Sequence, residues 1–390
     1  MQIMRKMKDS GIEWIGESPE GWEIKYFVQL FSQVKNKNIG LREKNLLSLS
    51  YGKIKQKSIE TVGGLLPDNF EGYNIIDRND IVLRLTDLQN DQHSLRVGLS
   101  HERGIITSAY CSIRVRGAES PNYLYYYLHT FDIAKGFYGM GSGVRQGLNW
   151  DGLKYIKILL PPQHEQDRIS VFLNQKTLEI DSMLSKTISS IEEYKKLKQA
   201  VITQAVTEGT PAMFSSPHSV KLKYLISIVS GEAIRNEQLS DFGEYPVYGG
   251  GEIIGFCSQY NTSEGSLIIG RVGARCGCVT HTTCKSWATD NALIVLPTCN
   301  AKYMYYVIGH CQLNNLNTSN AQPLITSTKI KNVVVPYFSD AMQQQEITDY
   351  LDAKCAEIDG LITRKEQLVK ELESYKKSLI YEVVTGKREV

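Results

Sequence analysis

The chain has 390 residues, too many for one compact core, so two or more domains are expected. With 42% hydrophobic and 22% charged residues it reads as globular, and no stretch approaches the roughly 18 apolar residues needed to span a bilayer. A net charge of +2 neither announces nor excludes nucleic acid; a protein gripping DNA through charge alone is usually more basic, so any DNA binding is expected to rest on local placement of Arg and Lys and on partner subunits.

In chain order, Met1–Ser10 lacks the apolar core of a signal peptide, and the cytoplasm is the expected compartment. The first block, residues 1–160, carries short strand-like runs at Asp80–Leu85, Arg96–Leu99 and Tyr110–Arg116, separated by Gly, Asn and Asp turns. Pro121–Leu128 predicts a short helix with a tyrosine face. A glycine-rich loop, Tyr138–Leu148, leads into a closing strand at Ile156–Leu160. A long helix is predicted over residues 161–209, opened by Pro161 and Pro162 and stopped by Gly209. Residues 210–219 form a linker. The second block, residues 220–337, repeats the plan: strands at Ser266–Val272, Gly277–Thr280 and Ala292–Leu296, a tyrosine helix at Lys302–Ile308, and Thr318–Leu324 in the place of the glycine loop. Residues 338–390 form a second long helix between Pro336 and Gly386.

The two long helices are copies of each other. A gapless shift of 178 positions places Gln166 on Gln344, Ile169 on Ile347, Leu173 on Leu351, Glu179-Ile180-Asp181 on Glu357-Ile358-Asp359, Lys198 on Lys376 and Val206-Thr207 on Val384-Thr385. Matches held in one frame over about forty residues are an internal repeat. Apolar positions recur at three- and four-residue steps: Ile180, Leu184, Ile188, Ile191, Tyr194 and Val201, then Ile358, Leu361, Leu368, Leu372, Tyr375 and Leu379. A helix of about 45 residues is about 65 Å long and cannot bury such a stripe against itself. Each copy is therefore expected to pack on the other, through Ile180, Leu184, Ile191, Val201, Ile358, Leu361, Leu368, Leu372 and Leu379. The expected fold is α+β: two mixed α/β domains separated by two long helices packed as an antiparallel coiled coil, with pseudo-two-fold character.

Three motifs point to other chemistry without completing it. Gly139–Gly143 has the glycines of a nucleotide loop but lacks βαβ spacing. Cys276, Cys278, His281 and Cys284 are metal-like residue types, yet no second CxxC pair supplies zinc geometry, and no metal is expected. Gly386-Lys387 is not preceded by a phosphate-loop pattern. Eight cysteines, unevenly spread, read as reduced thiols.

The stretches Ser10–Trp22, Tyr245–Gly249 with Ile254-Gly255, Ile269–Gly273, Trp287–Asn291, Ala205–Gly209 and Glu382–Lys387 resemble the specificity subunit of type I restriction-modification enzymes, and the resemblance runs over essentially the whole chain. It implies two target-recognition domains, each reading half of a split sequence in double-stranded DNA. It further implies a conserved helix pair that sets the spacing and docks two methyltransferase subunits, and a nuclease-translocase subunit that joins them. The chain itself is then not an enzyme and holds no cofactor: S-adenosylmethionine belongs to the methyltransferase partner, ATP and magnesium to the nuclease partner. About 25 regular helical residues span near 38 Å, comparable with one DNA turn, so the helix pair would serve as a ruler. The competing expectation is a silent cassette or orphan scaffold that keeps the architecture without an active complex.

Arg grips guanine in a bidentate manner and Asn or Gln reads adenine, so loop residues of these types are the candidate DNA contacts. In the first block these are Arg84, Gln89, Asn90, Arg96, Arg145 and Gln146; in the second, Arg235, Arg271, Arg275, Asn320 and Gln322.

Overall fold

The structure, a computed structural model, describes residues 5–58, 69–91, 93–141, 147–213, 215–316 and 323–390. In chain order its principal elements begin with strands β1 (Glu23–Tyr26), β2 (Phe31–Gln33), β3 (Ile81–Leu83), β4 (Val97–Leu99) and β5 (Cys111–Val115). Helix α1 (Pro121–Ile133), strand β6 (Lys157–Leu160) and the long helix α2 (Gln163–Glu208) follow. The second half supplies β7 (His218–Lys221), β8 (Ile226–Ser230), β9 (Leu267–Gly270), β10 (Val279–His281), β11 (Ala292–Pro297), α3 (Ala301–His310), β12 (Val334–Tyr337) and the long helix α4 (Ala341–Val384).

The chain divides into two compact units. One comprises residues 1–186 and 368–390; the other comprises residues 187–367. Each unit therefore owns part of both long helices, a division that cuts across the sequence blocks. The first unit has a four-stranded antiparallel sheet ordered β2-β5-β3-β4 and a separate antiparallel pair of β1 with β6. The second unit has the same arrangement, β8-β11-β9-β10 with β7 paired to β12. One topology has thus been built twice from sequences that align only in their helices.

Inner strands are apolar on both faces because each is covered on both sides. Ile81, Val82 and Leu83 are buried, as are Leu267, Ile268 and Ile269. The tyrosine helices begin at capped ends. Ser120 caps α1 ahead of Pro121, while the Asn300 side chain accepts the N–H groups of Lys302 and Tyr303 at 3.0 Å. Their tyrosines are core residues with polar tips. Tyr123 donates to the Leu159 carbonyl at 2.7 Å, and Tyr303 accepts the Phe338 N–H at 3.0 Å. One turn later Tyr126 donates to Asn174 at 2.9 Å and Tyr306 to Asp352 at 2.7 Å, positions equivalent under the repeat.

The repeat also fixes where each long helix meets its unit. The buried Gln166 amide accepts the Ser120 N–H at 2.9 Å and donates to the Pro161 carbonyl at 2.9 Å. Gln344 does the same with the Asn300 N–H at 3.2 Å and the Phe338 carbonyl at 2.7 Å. A buried glutamine with both ends satisfied locks the helix start to the cap of the tyrosine helix and to the closing strand.

Within each unit the helices run antiparallel. In the first, Ile169, Leu173 and Ile180 of α2 share a core with Leu379, Ile380, Val383 and Val384 of α4, with half-buried Leu184 and Leu372 at its edge. In the second, Ala205 and Val206 join Ile347, Leu351 and Cys355, with Val201 half-buried against them. Ile191 and Ile358 are also buried, and Leu361 is half-buried. Leu368 corrects the expected packing set: it is 42% exposed, as Ile188 and Tyr375 are near 50%. The seam steps through Leu184, buried Thr187 and Ile191, so Ile188 is turned about 100° away from it. By the repeat the seam passes through half-buried Val369 instead of Leu368 and through half-buried Lys376 instead of Tyr375, while Leu361 and Ile362 are both half-buried.

Asp181 meets Lys376 at 2.6 Å and Lys53 at 2.8 Å in the first unit; Lys198 meets Asp359 at 2.6 Å in the second. Asp181 and Asp359, and Lys198 and Lys376, are the same repeat positions. Burial pushes the Asp181 carboxyl up, but hydrogen bonds from Lys376 and Lys53 outweigh it and hold the group below its ordinary value. These pairs are half exposed, so each is expected to contribute only about 0.5–1 kcal/mol. A double-mutant cycle on Lys198→Ala and Asp359→Ala in urea unfolding checks this; a coupling above about 2 kcal/mol would contradict the surface character assigned to the pair.

Candidate nucleic-acid interface

In the first unit, β3 and β4 are joined by a connection that carries four of the sequence candidates. Leu85 and Leu88 point inward and are buried, which forces the residues between and beyond them outward. Gln89 and Asn90 stand exposed at the tip, with the Asn90 amide donating to Asp87 at 2.8 Å. Asp87 itself has φ of 59°, the left-handed conformation that Asp tolerates better than most residues and that lets the chain reverse here. Arg84 lies at the edge, half exposed and 3.3 Å from Asp91. Hydrogen bonds from the Ser94 hydroxyl and N–H hold the Asp91 carboxyl down to about 2, so it stays anionic beside Arg84 at any working pH.

Arg96 requires a correction. It is fully buried, and its guanidinium is enclosed by protein: Nε donates to Tyr138 Oη at 3.1 Å, Nη1 to the carbonyls of Arg84 at 3.1 Å and Thr86 at 2.8 Å, and Nη2 to the carbonyls of Asp87 at 3.2 Å and Asp91. All five donors are used, so nothing is left to offer a base or a phosphate. Its charge type gave no hint of this, because arginines default to the surface.

The equivalent connection of the second unit joins β9 to β10 through a short helical turn, Gly273–Arg275, and carries Arg271 and Arg275. Arg271 is half exposed; its N–H donates to the Asn291 carbonyl and its carbonyl accepts from Ile325, both at 3.0 Å, so its backbone is fixed between two neighbours. Arg275 is exposed, and its Nε lies 2.6 Å from Glu252, which raises the guanidinium pKa through that hydrogen bond. The structure does not bring Arg235 onto this connection. It is exposed on a separate segment after β8, capping the helical turn Asn236–Gln238. Arg145, Gln146, Asn320 and Gln322 lie outside the described residues.

Two further arginines of the first sheet are structural. Arg114 Nε lies 2.6 Å from Asp80 and its Nη2 2.7 Å from Asp77, while Arg116 donates to the Phe31 carbonyl at 2.7 Å. Among the described residues no three His, Cys, Asp or Glu side chains gather as metal ligands. Cys276 is buried with its thiol on the Arg271 carbonyl, Cys278 is half-buried and Cys284 exposed, and all eight cysteines are free. No described helix is long and apolar enough to cross a membrane.

Sequence reasoning missed Tyr138 and Asp132, which hold Arg96, and it had Gln166 and Gln344 only as matched letters. Their identity across the repeat was the available signal, since a polar residue kept inside an apolar register has a partner to satisfy.

Comparison with known proteins agrees with this geometry. Residues 218–371 match the family described as type I restriction modification DNA specificity domain. The type I restriction enzyme EcoprrI specificity subunit of Escherichia coli is 30% identical over 91 residues, a stretch covering 23% of this chain and 23% of that protein. A solved structure described as the structural basis of complex assembly and conformational transition of the type I R-M system superposes with a TM-score of 0.72 at 15% identity, over 95% of this chain and 99% of that one. The HsdS subunit of Thermoanaerobacter tengcongensis superposes at 0.52 and 14% identity, over 95% of this chain and 98% of its own. Residues 218–371 thus match the type I restriction modification DNA specificity domain, the same topology is rebuilt in the other unit, and the fold of the whole chain is similar to that of type I restriction-modification specificity subunits.

Proposed function

We propose that this chain is the DNA-reading subunit of a type I restriction-modification complex, that each unit reads one half of a split target, and that methyltransferase and nuclease-translocase subunits dock on it in the cytoplasm. The observation that carries the reading is the duplicated topology: the same strand connection occurs once per unit, fixed in its backbone and tipped with Gln and Asn in one unit and with Arg in the other. Amide and guanidinium groups on a fixed backbone are what base edges in the major groove require. Methyl transfer would use S-adenosylmethionine held by the methyltransferase, and cleavage would use ATP and magnesium held by the nuclease. Support for docking comes from Val171 and Leu178, seven residues apart on one face of α2 and 67% and 70% exposed. Apolar residues of that size left in water on a regular helix favour a protein partner.

The test is binding of the methyltransferase-bound chain to its split-site duplex, followed by fluorescence anisotropy. Arg271→Ala is expected to weaken binding about tenfold and to relax selectivity in one half-site only. Arg235→Ala, if Arg235 meets only phosphate, lowers affinity evenly and reduces the salt slope by about one. Binding that neither prefers a split site nor responds to Arg271→Ala would favour a scaffold or silent cassette.

A further inference from the structure

We infer that Arg96 is a positioning residue for DNA recognition: it shapes the Arg84–Asp91 turn from inside so that Gln89 and Asn90 are held outward in one geometry. The inference rests on the proposed reading of DNA by this unit. Four carbonyls drawn from residues 84, 86, 87 and 91 converge on a single buried cation, and the fifth donor goes to Tyr138. A carbonyl aimed inward fixes the orientation of its peptide plane, so four of them leave the turn almost no backbone freedom. Side chains of the intervening residues then have nowhere to go but out, apart from Leu85 and Leu88, which plug the core.

The clamp is itself anchored. The Arg96 N–H donates to the Asp132 carboxylate at 2.7 Å, which ties the turn to α1, and its carbonyl accepts the Arg84 N–H at 2.9 Å. The Tyr138 ring lies under the guanidinium with 5.1 Å between cation and ring centre. Leu85 offers its carbonyl to the Leu148 N–H at 2.9 Å, so the last residue of the glycine-rich loop is fastened to the same turn.

The second unit reaches the same result by different chemistry. Among the described residues no buried arginine sits under the β9–β10 connection. There the backbone itself is packed shut: a Cβ on Gly270 would fall 2.2 Å from the Gly250 carbonyl oxygen and 2.3 Å from that of Arg275, and one on Gly277 would fall 2.4 Å from the Asn314 nitrogen. Two unrelated devices immobilise the same connection in the two units. What they share is a rigid backbone beneath exposed polar tips, and base edges reward that rigidity because bidentate hydrogen bonds tolerate little displacement.

Lysine offers three donors from one nitrogen where arginine offers five in a planar fork, so Arg96→Lys keeps the charge and loses the clamp. The experiment uses the full chain with its methyltransferase partner and reads methylation across a library of split sites, beside amide exchange of residues 84–91. Arg96→Lys is expected to raise amide exchange in the turn and to lower selectivity in one half-site by about tenfold, with the other half-site unchanged. Tyr138→Phe removes the acceptor of Arg96 Nε together with a 3.4 Å donor to the Asp91 carbonyl and is expected to relax the same half-site by about threefold; it decides the matter if Arg96→Lys does not fold. Either folded variant that retains full selectivity in both half-sites, or that lowers methylation evenly at every sequence, overturns the assignment. A wild-type complex with no split motif would instead contradict the functional reading, and this inference with it.

Discussion

Replacing Gln166 by Leu is expected to destabilise the first unit by about 2–4 kcal/mol, because it strands the Ser120 N–H and the Pro161 carbonyl in a buried site without partners. Gln344→Leu should cost the second unit a similar amount through the Asn300 N–H and the Phe338 carbonyl. Each loss should stay within its own unit. Hydrogen exchange during urea unfolding separates the two, since amides of the untouched unit should keep their protection. A loss below about 0.5 kcal/mol would mean that these glutamines are not the joints between helix and unit.

The second large effect is a pair of opposed pH dependences on α1. Burial pushes the Asp132 carboxyl up to about 6, against the N–H and charge of Arg96, and burial with the charges of Lys376 and Lys377 pushes His129 down to about 4. A carboxyl raised on folding binds protons that the unfolded chain has released. Its contribution is fully present below the ordinary value of 3.8 and is lost as pH rises through 6. A histidine lowered on folding has the reverse sign: stability is lost as pH falls from the ordinary 6.5 through 4. Each is worth about 3 kcal/mol over nearly the same window, so in the wild type they largely cancel. Asp132→Asn should therefore expose a stability that falls toward acid, and His129→Asn one that falls toward neutral pH. Urea midpoints of the first unit at pH 4, 5, 6 and 7 check this. Profiles in both variants that match the wild type would contradict the burial assigned to these two groups.

Much of this arrangement could be read from the residues. Strands at Ile81–Leu83, Cys111–Val115, Leu267–Gly270 and Ala292–Pro297 sit within runs whose composition announces them, and both tyrosine helices follow a capping residue. The long helices were visible because a repeated apolar period is a strong signal even when the letters differ. The seam was read one residue off at Leu368, since either of two adjacent apolar residues satisfies the period and only packing selects between them. Hairpins such as Leu47–Ser50 with Lys53–Gln56 were passed over because their strands are short and polar on one side.

The candidate interface was legible in part. Gln89, Asn90, Arg235 and Arg275 are exposed where a turn or loop was expected, and Arg271 is half exposed at the edge of one. Arg96 was not legible, because no local pattern distinguishes an arginine that turns its fork onto four carbonyls from one that extends into solvent. The acceptors that enclose it come from a turn and from Tyr138, brought together only by the fold.

The measurement that bears most directly on the central claim is methylation-resolved sequencing of genomic DNA from a methylation-free host expressing this chain with its methyltransferase partner. The account predicts modified bases on both strands within a split motif whose two halves are separated by a fixed gap. A stable complex that leaves the genome unmodified, or that marks a single uninterrupted motif, would contradict it.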